Sequence, residues 1–420
     1  MRALTVCSKF FLGQGALQSV QLISGFFLVR WLTIDSWAQY GLASGLQLTM
    51  ATLMDLGISS TIVPLIGENG HDKELMGRYV RAAVHLRKKS FWILTPITCV
   101  LFFAMAQRHH WGLPVELLLL ASIVIALFAS GYISCYSPPF FVSGRLGEFY
   151  RPQTFSALLR LILFAICWVA GVLNAWIASA VYAFTSLING YLLKHGSRKY
   201  LAWPEHDSAS VDREVLRYIL PAAPAIIFSA FQVQISLFLV SAFGSTYAVA
   251  QVAALGKLGQ LFAVVTTFCV VIIEPFVARL SRERLFPIYL KLVILSILLA
   301  SPIVFVAFAW PGLPLWVLGP NYANLQALVG WIVLAWCINS IAGLMWIMNR
   351  ARKWLFWRGS FFEIVALLGV QIVFVLTVGV RTTREAVFFT LASSFCYLAA
   401  HGYVAMIGFG RQRKNALLQA

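Results

Sequence analysis

Acidic residues are scarce in this chain. It has 15 Asp and Glu among 420 residues, against 32 Lys and Arg, and charged types together make up 11%. A soluble domain carries about a quarter charged residues. Here hydrophobic types reach 60% and mean hydropathy is +0.82, which excludes a soluble globular fold. Paired cysteines are also missing. Cys7, Cys99, Cys135, Cys167, Cys269, Cys337 and Cys396 sit singly in apolar stretches, with no CxxC and no histidine at ligand spacing. That argues against structural zinc and a disulfide framework, and leaves the thiols as small packing residues. No exterior loop is long enough to hold a catalytic domain, so an enzyme is the weaker reading.

What is present is a succession of apolar segments of the length that crosses a bilayer, about 20 residues each. Twelve spans are expected, in residues 8–32, 38–66, 89–107, 116–142, 154–173, 175–194, 217–243, 248–275, 287–310, 325–348, 359–380 and 385–409. The fold class is therefore all-α and polytopic. The first span is not a cleavable signal, because Gln14, Gln18 and Gln21 interrupt its apolar core.

The net charge of +17 acquires a meaning once the cations are placed on this topology. Nearly all fall on one side, including Lys73, Arg78, Arg81, Arg87, Lys88 and Lys89 between the second and third spans. The opposite side holds Arg30, Arg108, Arg381 and Arg384. The positive-inside bias puts both termini in the cytoplasm. Orientation and contact with anionic membrane lipids account for the charge, so no nucleic-acid partner is expected. Tryptophans such as Trp31, Trp111, Trp310 and Trp354 fall near predicted span ends, as interfacial anchors do.

A polar interruption with Pro204, Glu205, His206 and Asp207 divides the chain into six spans and six. The expected organisation is an N-terminal lobe at 1–195, a cytoplasmic linker at 196–216, a C-terminal lobe at 217–410 and a tail at 411–420. Each half presents an aromatic after a short outer turn: Trp37 to Gly41 in the first, Gly244 to Ala248 in the second, so that Tyr40 overlays Tyr247. Two related bundles around a central cavity are a common transporter plan.

The run from Trp37 through Tyr40 and Gly41 to Asp55, Leu56 and Gly57 resembles the second-helix signature of bacterial polysaccharide or O-antigen flippases. These belong to the multidrug/oligosaccharidyl-lipid/polysaccharide exporter superfamily. Tyr247 to Gln260 and the stretch Leu318, Gly319, Pro320, Asn321, Tyr322 are similar to it as well. The resemblance implies two six-helix lobes around a cavity, alternating access, and translocation of an undecaprenyl-diphosphate-linked oligosaccharide in exopolysaccharide or O-antigen assembly. The implied partners are that lipid-linked substrate, membrane lipids and polysaccharide polymerase machinery. No cofactor, catalytic residue or metal is called for, and the coupling ion, proton or sodium, stays open. The sequence departs from the pattern at Gln232 to Ser236, where many relatives carry an acid. It also lacks the two extra spans of the fourteen-helix peptidoglycan-precursor flippases. A drug or metabolite cation antiporter of the same fold is the alternative, followed by a membrane polymerase or ligase. A major-facilitator transporter is disfavoured, because Gly67 to Lys89 lacks the expected glycine, aspartate and arginine cluster.

Such a carrier needs cations for diphosphate and hydrogen-bonding groups for sugar. Lys257, deep in the eighth span, is the first candidate, with Gln260 one turn on. Arg160 and Arg30 lie nearer span ends, where they can also reach headgroups. Gln14, Gln18 and Gln21 recur at i, i+4, i+7 and share one helix face. For coupling or gating the candidates are Asp55, Glu274, Pro221 and Pro224. An acid within a span is expensive, so Asp55 is expected to pair with Lys257, to bind a proton or cation, or to cap a break beside Gly57. Glu363 and His401 also lie deep, and are read as packing residues.

Overall fold

A computed structural model describes residues 2–66, 72–203, 209–220, 223–352, 354 and 357–417. The fold is helical, with no strand among the described residues. By contact the chain divides into two compact units, Met1–Ala242 and Phe243–Ala420.

In the first unit α1 (Arg2–Trp31) leads to α2 (Ile34–Asp55), which starts at an N-cap where Thr33 accepts from Ser36 N at 3.3 Å. Short α3 (Ile58–Ile66) continues from α2 after a break at Leu56 and Gly57, whose φ angles are +45° and +83°. Helix α4 (Lys73–Ala106) opens on Asp72, whose carboxylate accepts from Glu74 N and Leu75 N. The basic stretch from Lys73 to Lys89 is therefore helix continuous with the third span, not the loop expected from its charge. Its polar residues recur on one side while Met76, Tyr79, Val80 and Ala83 make the buried side. There follow α5 (Leu113–Tyr136), α6 (Pro138–Val142), α7 (Leu146–Val169) and α8 (Ala175–Ser197). Helices α5 and α8 approach closely enough that a Cβ on Gly190 would meet the Tyr132 Cβ at 2.9 Å and the Ala129 carbonyl at 3.2 Å. Small residues at such crossings let membrane helices gain van der Waals contact.

The stretch expected as a linker contains amphipathic α9 (Ala209–Ile219), followed by α10 (Ala223–Gln232) and α11 (Ile235–Phe243). Val215 and Ile219 of α9 are buried with Ile58, Ile62 and Ile66 of α3. Glu214 accepts from the Tyr79 hydroxyl at 3.2 Å, and Asp212 meets His85 Nδ1 at 2.6 Å. Helix α10 packs against α2. A Cβ on Gly45 of α2 would lie 2.8 Å from Leu237 Cδ2 and 3.2 Å from Gln234 Oε1, so this glycine sets the approach of the seventh-span segment.

The second unit contains α12 (Thr246–Gly259), α13 (Leu261–Phe268), a π-helical turn at Cys269–Ile273, and α14 (Glu274–Ala278). Next come α15 (Arg282–Ala309), α16 (Gly312–Leu318), α17 (Gln326–Ala351), α18 (Trp357–Thr377) and α19 (Thr383–Leu417). Helices α17 and α19 form its centre, with α15 and α18 packed on them.

Among the described residues, 8 helices are long and apolar enough to cross a membrane singly, or 9 if α9 and α10 make one bent span. This is a multi-pass membrane protein. The other segments where the sequence places spans are α1, the broken pair α10–α11, the series α12 to α14, and α18, whose apolar part Phe361–Thr377 is short.

Candidate functional site

Two polar clusters are built into the first unit. The first forms because Tyr40, Ser44 and Gln47 recur on one face of α2, Ser122 and Ala126 on α5, and Ser179 and Tyr182 on α8. Together they line a pocket of about 20 Å³, room for a single water or hydroxyl group. Arg160 of α7 joins this group from the side. Its guanidinium lies 4.3 Å from the centre of the Tyr182 ring, and its Nε donates to Thr185 Oγ1 at 3.1 Å. Buried Tyr40 is electrostatically coupled to it. A guanidinium stacked on a ring and held by one hydroxyl keeps its remaining N–H donors for an anion or a sugar oxygen. The pocket wall contains no carboxylate.

The second cluster surrounds the break after α2. Leu56 adopts a left-handed conformation and its N–H bonds to the Thr52 carbonyl, ending the helix inside its apolar run. Arg87 of α4, only 5% exposed, donates from Nη1 to the Ala51 carbonyl at 3.0 Å and from Nη2 to Ser130 Oγ at 2.7 Å. Gly131 of α5 leaves the space for that side chain: a Cβ there would sit 3.3 Å from Arg87 Cγ and Nε. Asp55 is electrostatically coupled to Arg87 and accepts from Ser59 Oγ at 2.8 Å through Oδ2. Its Oδ1 is enclosed without a hydrogen-bond partner. The acid, the broken helix and the guanidinium form one unit, in which Arg87 supplies positive charge and satisfies a carbonyl near the break.

Arg87 was placed among the orienting loop cations by sequence. The signal that would have separated it is periodicity: Met76, Val80, Ala83 and Arg87 fall at i, i+4, i+7 and i+11, so Arg87 lies on the buried face of α4. Tyr182 and Thr185, the neighbours that fix Arg160, carried no signal of their own.

The remaining expected residues are dispersed. Gln14 and Gln18 are half-buried on α1 and Gln21 is exposed, while the face toward α7 carries Gly13 and Leu17 against Tyr150. Arg30 is exposed in the last turn of α1. Lys257 is half-buried in the last turn of α12, in the second unit, and Gln260 is the exposed residue at which that helix ends. Glu274 accepts two hydrogen bonds from Arg350, at 2.9 Å from Nε and 2.5 Å from Nη2, and Arg350 stacks over Trp346 at 4.4 Å. Pro224 is exposed in the first turn of α10, and Pro221 lies outside the described residues.

No protein-family model matches the chain. Over 176 residues it is 28% identical to a Salmonella typhi protein named "Putative O-antigen transporter"; the match spans 41% of this chain and 36% of that protein, well under half of its length. Among solved structures, lipid II flippase MurJ in an inward closed conformation aligns with a TM-score of 0.67 over 97% of this chain and 90% of MurJ, at 11% identity. An inward-facing multidrug resistance MATE family transporter of the MOP superfamily aligns with a TM-score of 0.64 over 96% of each chain, at 14% identity. The eukaryotic MATE transporter AtDTX14 gives 0.61 over 98% of each, at 11% identity. The chain has the fold these transporters and this flippase share.

Proposed function

We propose that this membrane protein is a flippase that carries an undecaprenyl-diphosphate-linked oligosaccharide from the cytoplasmic to the periplasmic leaflet by alternating access, in O-antigen or exopolysaccharide assembly. The observation that supports this reading is the chemistry of the first polar cluster: a guanidinium, two tyrosines, three serines and a glutamine, with no acid in the pocket wall. Hydroxyls and amides pair with sugar hydroxyls, and an arginine in a low-dielectric surrounding favours an anion such as diphosphate. A drug antiporter of this fold would face the opposite problem, since Arg160 repels an organic cation. Lys257 offers a second positive group and is kept as a substrate contact, as are Arg30, Gln14, Gln18, Gln21 and Gln260. The pocket itself seats a hydroxyl, so it is one subsite of a longer path.

In this reading the chain has twelve spans in two six-helix lobes, with linker 196–216 and both termini in the cytoplasm of the inner membrane. Its chemistry is binding and release, without bond making. The experiment is deletion of the gene in its own host. Lipid-linked repeat units are expected to accumulate in the cytoplasmic leaflet while the surface polymer disappears, and a plasmid copy restores it. Normal surface polysaccharide, in a strain confirmed to have no second carrier, would refute the assignment.

A further inference from the structure

Among the described residues, the acids inside the spans divide into those with a fixed partner and those without, the latter being Glu116 near the start of α5 and Glu363 of α18. Asp55 accepts from Ser59 and lies in the field of the Arg87 guanidinium, and Glu274 is held by Arg350. Glu363, half-buried in the second turn of α18, has no ion pair or hydrogen bond among the described residues. Its electrostatic neighbours are Cys396 and Tyr397 of α19, the helix along which α18 packs. One turn further on α19, the His401 ring meets the Tyr397 ring edge to face, with centroids 4.3 Å apart. His401 is 2% exposed, and its Nε2 is enclosed with no hydrogen-bond partner. A carboxyl without a counter-charge and an imidazole nitrogen without a partner, on two packed helices and with Tyr397 within electrostatic reach of the one and in ring contact with the other, are costly to keep unless they handle a proton.

We propose that Glu363, together with Tyr397 and His401, forms a proton-binding site whose occupancy is linked to transport. This rests on the transporter reading above and supplies its energy source. Protonation forms one O–H bond on the Glu363 carboxylate and cancels its charge; release returns the proton to water, and nothing is oxidised or reduced. The surroundings fit a proton better than a metal cation. Sodium or a divalent ion needs several oxygen ligands, and among the described residues no three His, Cys, Asp or Glu groups cluster tightly enough to hold a metal ion. The other elements packed on α19 bring few ionisable groups. Helix α17 contributes Asn349, which donates to the His401 carbonyl at 3.1 Å and accepts from Tyr289 of α15 at 3.1 Å. It also carries Cys337 and the Arg350 committed to Glu274. Helix α12 carries Lys257.

The test uses the full chain in lipid nanodiscs. Infrared difference spectra across a pH titration are expected to show a protonated carboxyl band near neutral pH that disappears in Glu363→Gln and shifts in Glu363→Asp. Absence of the band from the unaltered protein overturns the site, whichever variants fold. In cells, Glu363→Gln is expected to lose most polymer export, and the residual export to lose its sensitivity to collapse of the proton gradient. A variant that exports normally overturns the link to transport. If the band is present but the gene deletion leaves surface polymer intact, the proton site stands and the flippase reading fails, so the two failures are distinguishable.

Discussion

Arg87 and Arg160 are both interior guanidiniums, yet their contacts commit them differently. Arg87 spends two donors on fixed protein oxygens beside a helix break and balances Asp55. Arg160 uses one donor and a ring face, leaving capacity for a ligand. Removing Arg87 leaves the Ala51 carbonyl and Ser130 without their donor and takes a positive charge from the neighbourhood of half-buried Asp55, so Arg87→Ala is expected to cost about 1–3 kcal/mol of stability. Arg87→Lys should recover only part, because an ammonium lacks the planar fork. Arg160→Ala is expected to melt within about 1 kcal/mol of the parent while export falls sharply. Thermal melting of purified protein, set beside surface polysaccharide in complemented cells, checks both. An Arg87→Ala protein as stable as the parent, or full export with Arg160→Ala, would reverse these roles. The sequence had flagged Arg160 for lying inside a span, though near an end from which it can also reach headgroups; it passed over Arg87, because cations in a charged connecting stretch read as orientation signals whichever way the helix turns them.

At the scale of elements, long apolar runs were legible and their interruptions were only partly so. Gly57 beside Asp55 hinted at a break, and the structure puts one there; the π turn at Cys269–Ile273 and the end of α12 at Gln260 had no such marker. Apolar composition records which residues avoid water and carries no information on whether their backbone stays helical, since lipid tolerates a break only where neighbouring groups satisfy it. Helix α9 was hidden for a different reason. Its charges made a cytoplasmic linker, and only the alternation of Val211, Val215 and Ile219 marked a face to bury. The docking of that connection on α4 makes a further prediction. Ala202 N bonds to the Lys73 carbonyl at 2.9 Å, and a Cβ on Gly77 would fall 2.0 Å from the Ala202 oxygen. Gly77→Ala must displace backbone, so it is expected to destabilise by about 1–3 kcal/mol and to raise hydrogen exchange at residues 201–203. Unchanged exchange there would show that this contact is dispensable.

For the whole molecule, class and membrane character followed from composition, because 60% hydrophobic residues admit few other solutions. Cation placement gives a testable topology: thiol-reactive probes that do not cross the membrane should label single cysteines introduced at Ser208 and Gln419 only after the inner membrane is opened, and one at Gly112 in intact spheroplasts. The reverse pattern would invert the orientation and with it the direction of the proposed translocation. The proposed substrate subsite was not legible, since it is assembled from side chains of α2, α5, α7 and α8 that meet only in space. One feature of the first unit reaches beyond transport. Both flanks of residues 204–208 are fastened to α4, on one side through Ala202 and on the other through Glu214 and Asp212. A polypeptide beginning near Ala209 would thus carry its own docking helix, and the two halves, made from separate genes, should find each other and reassemble without a covalent joint.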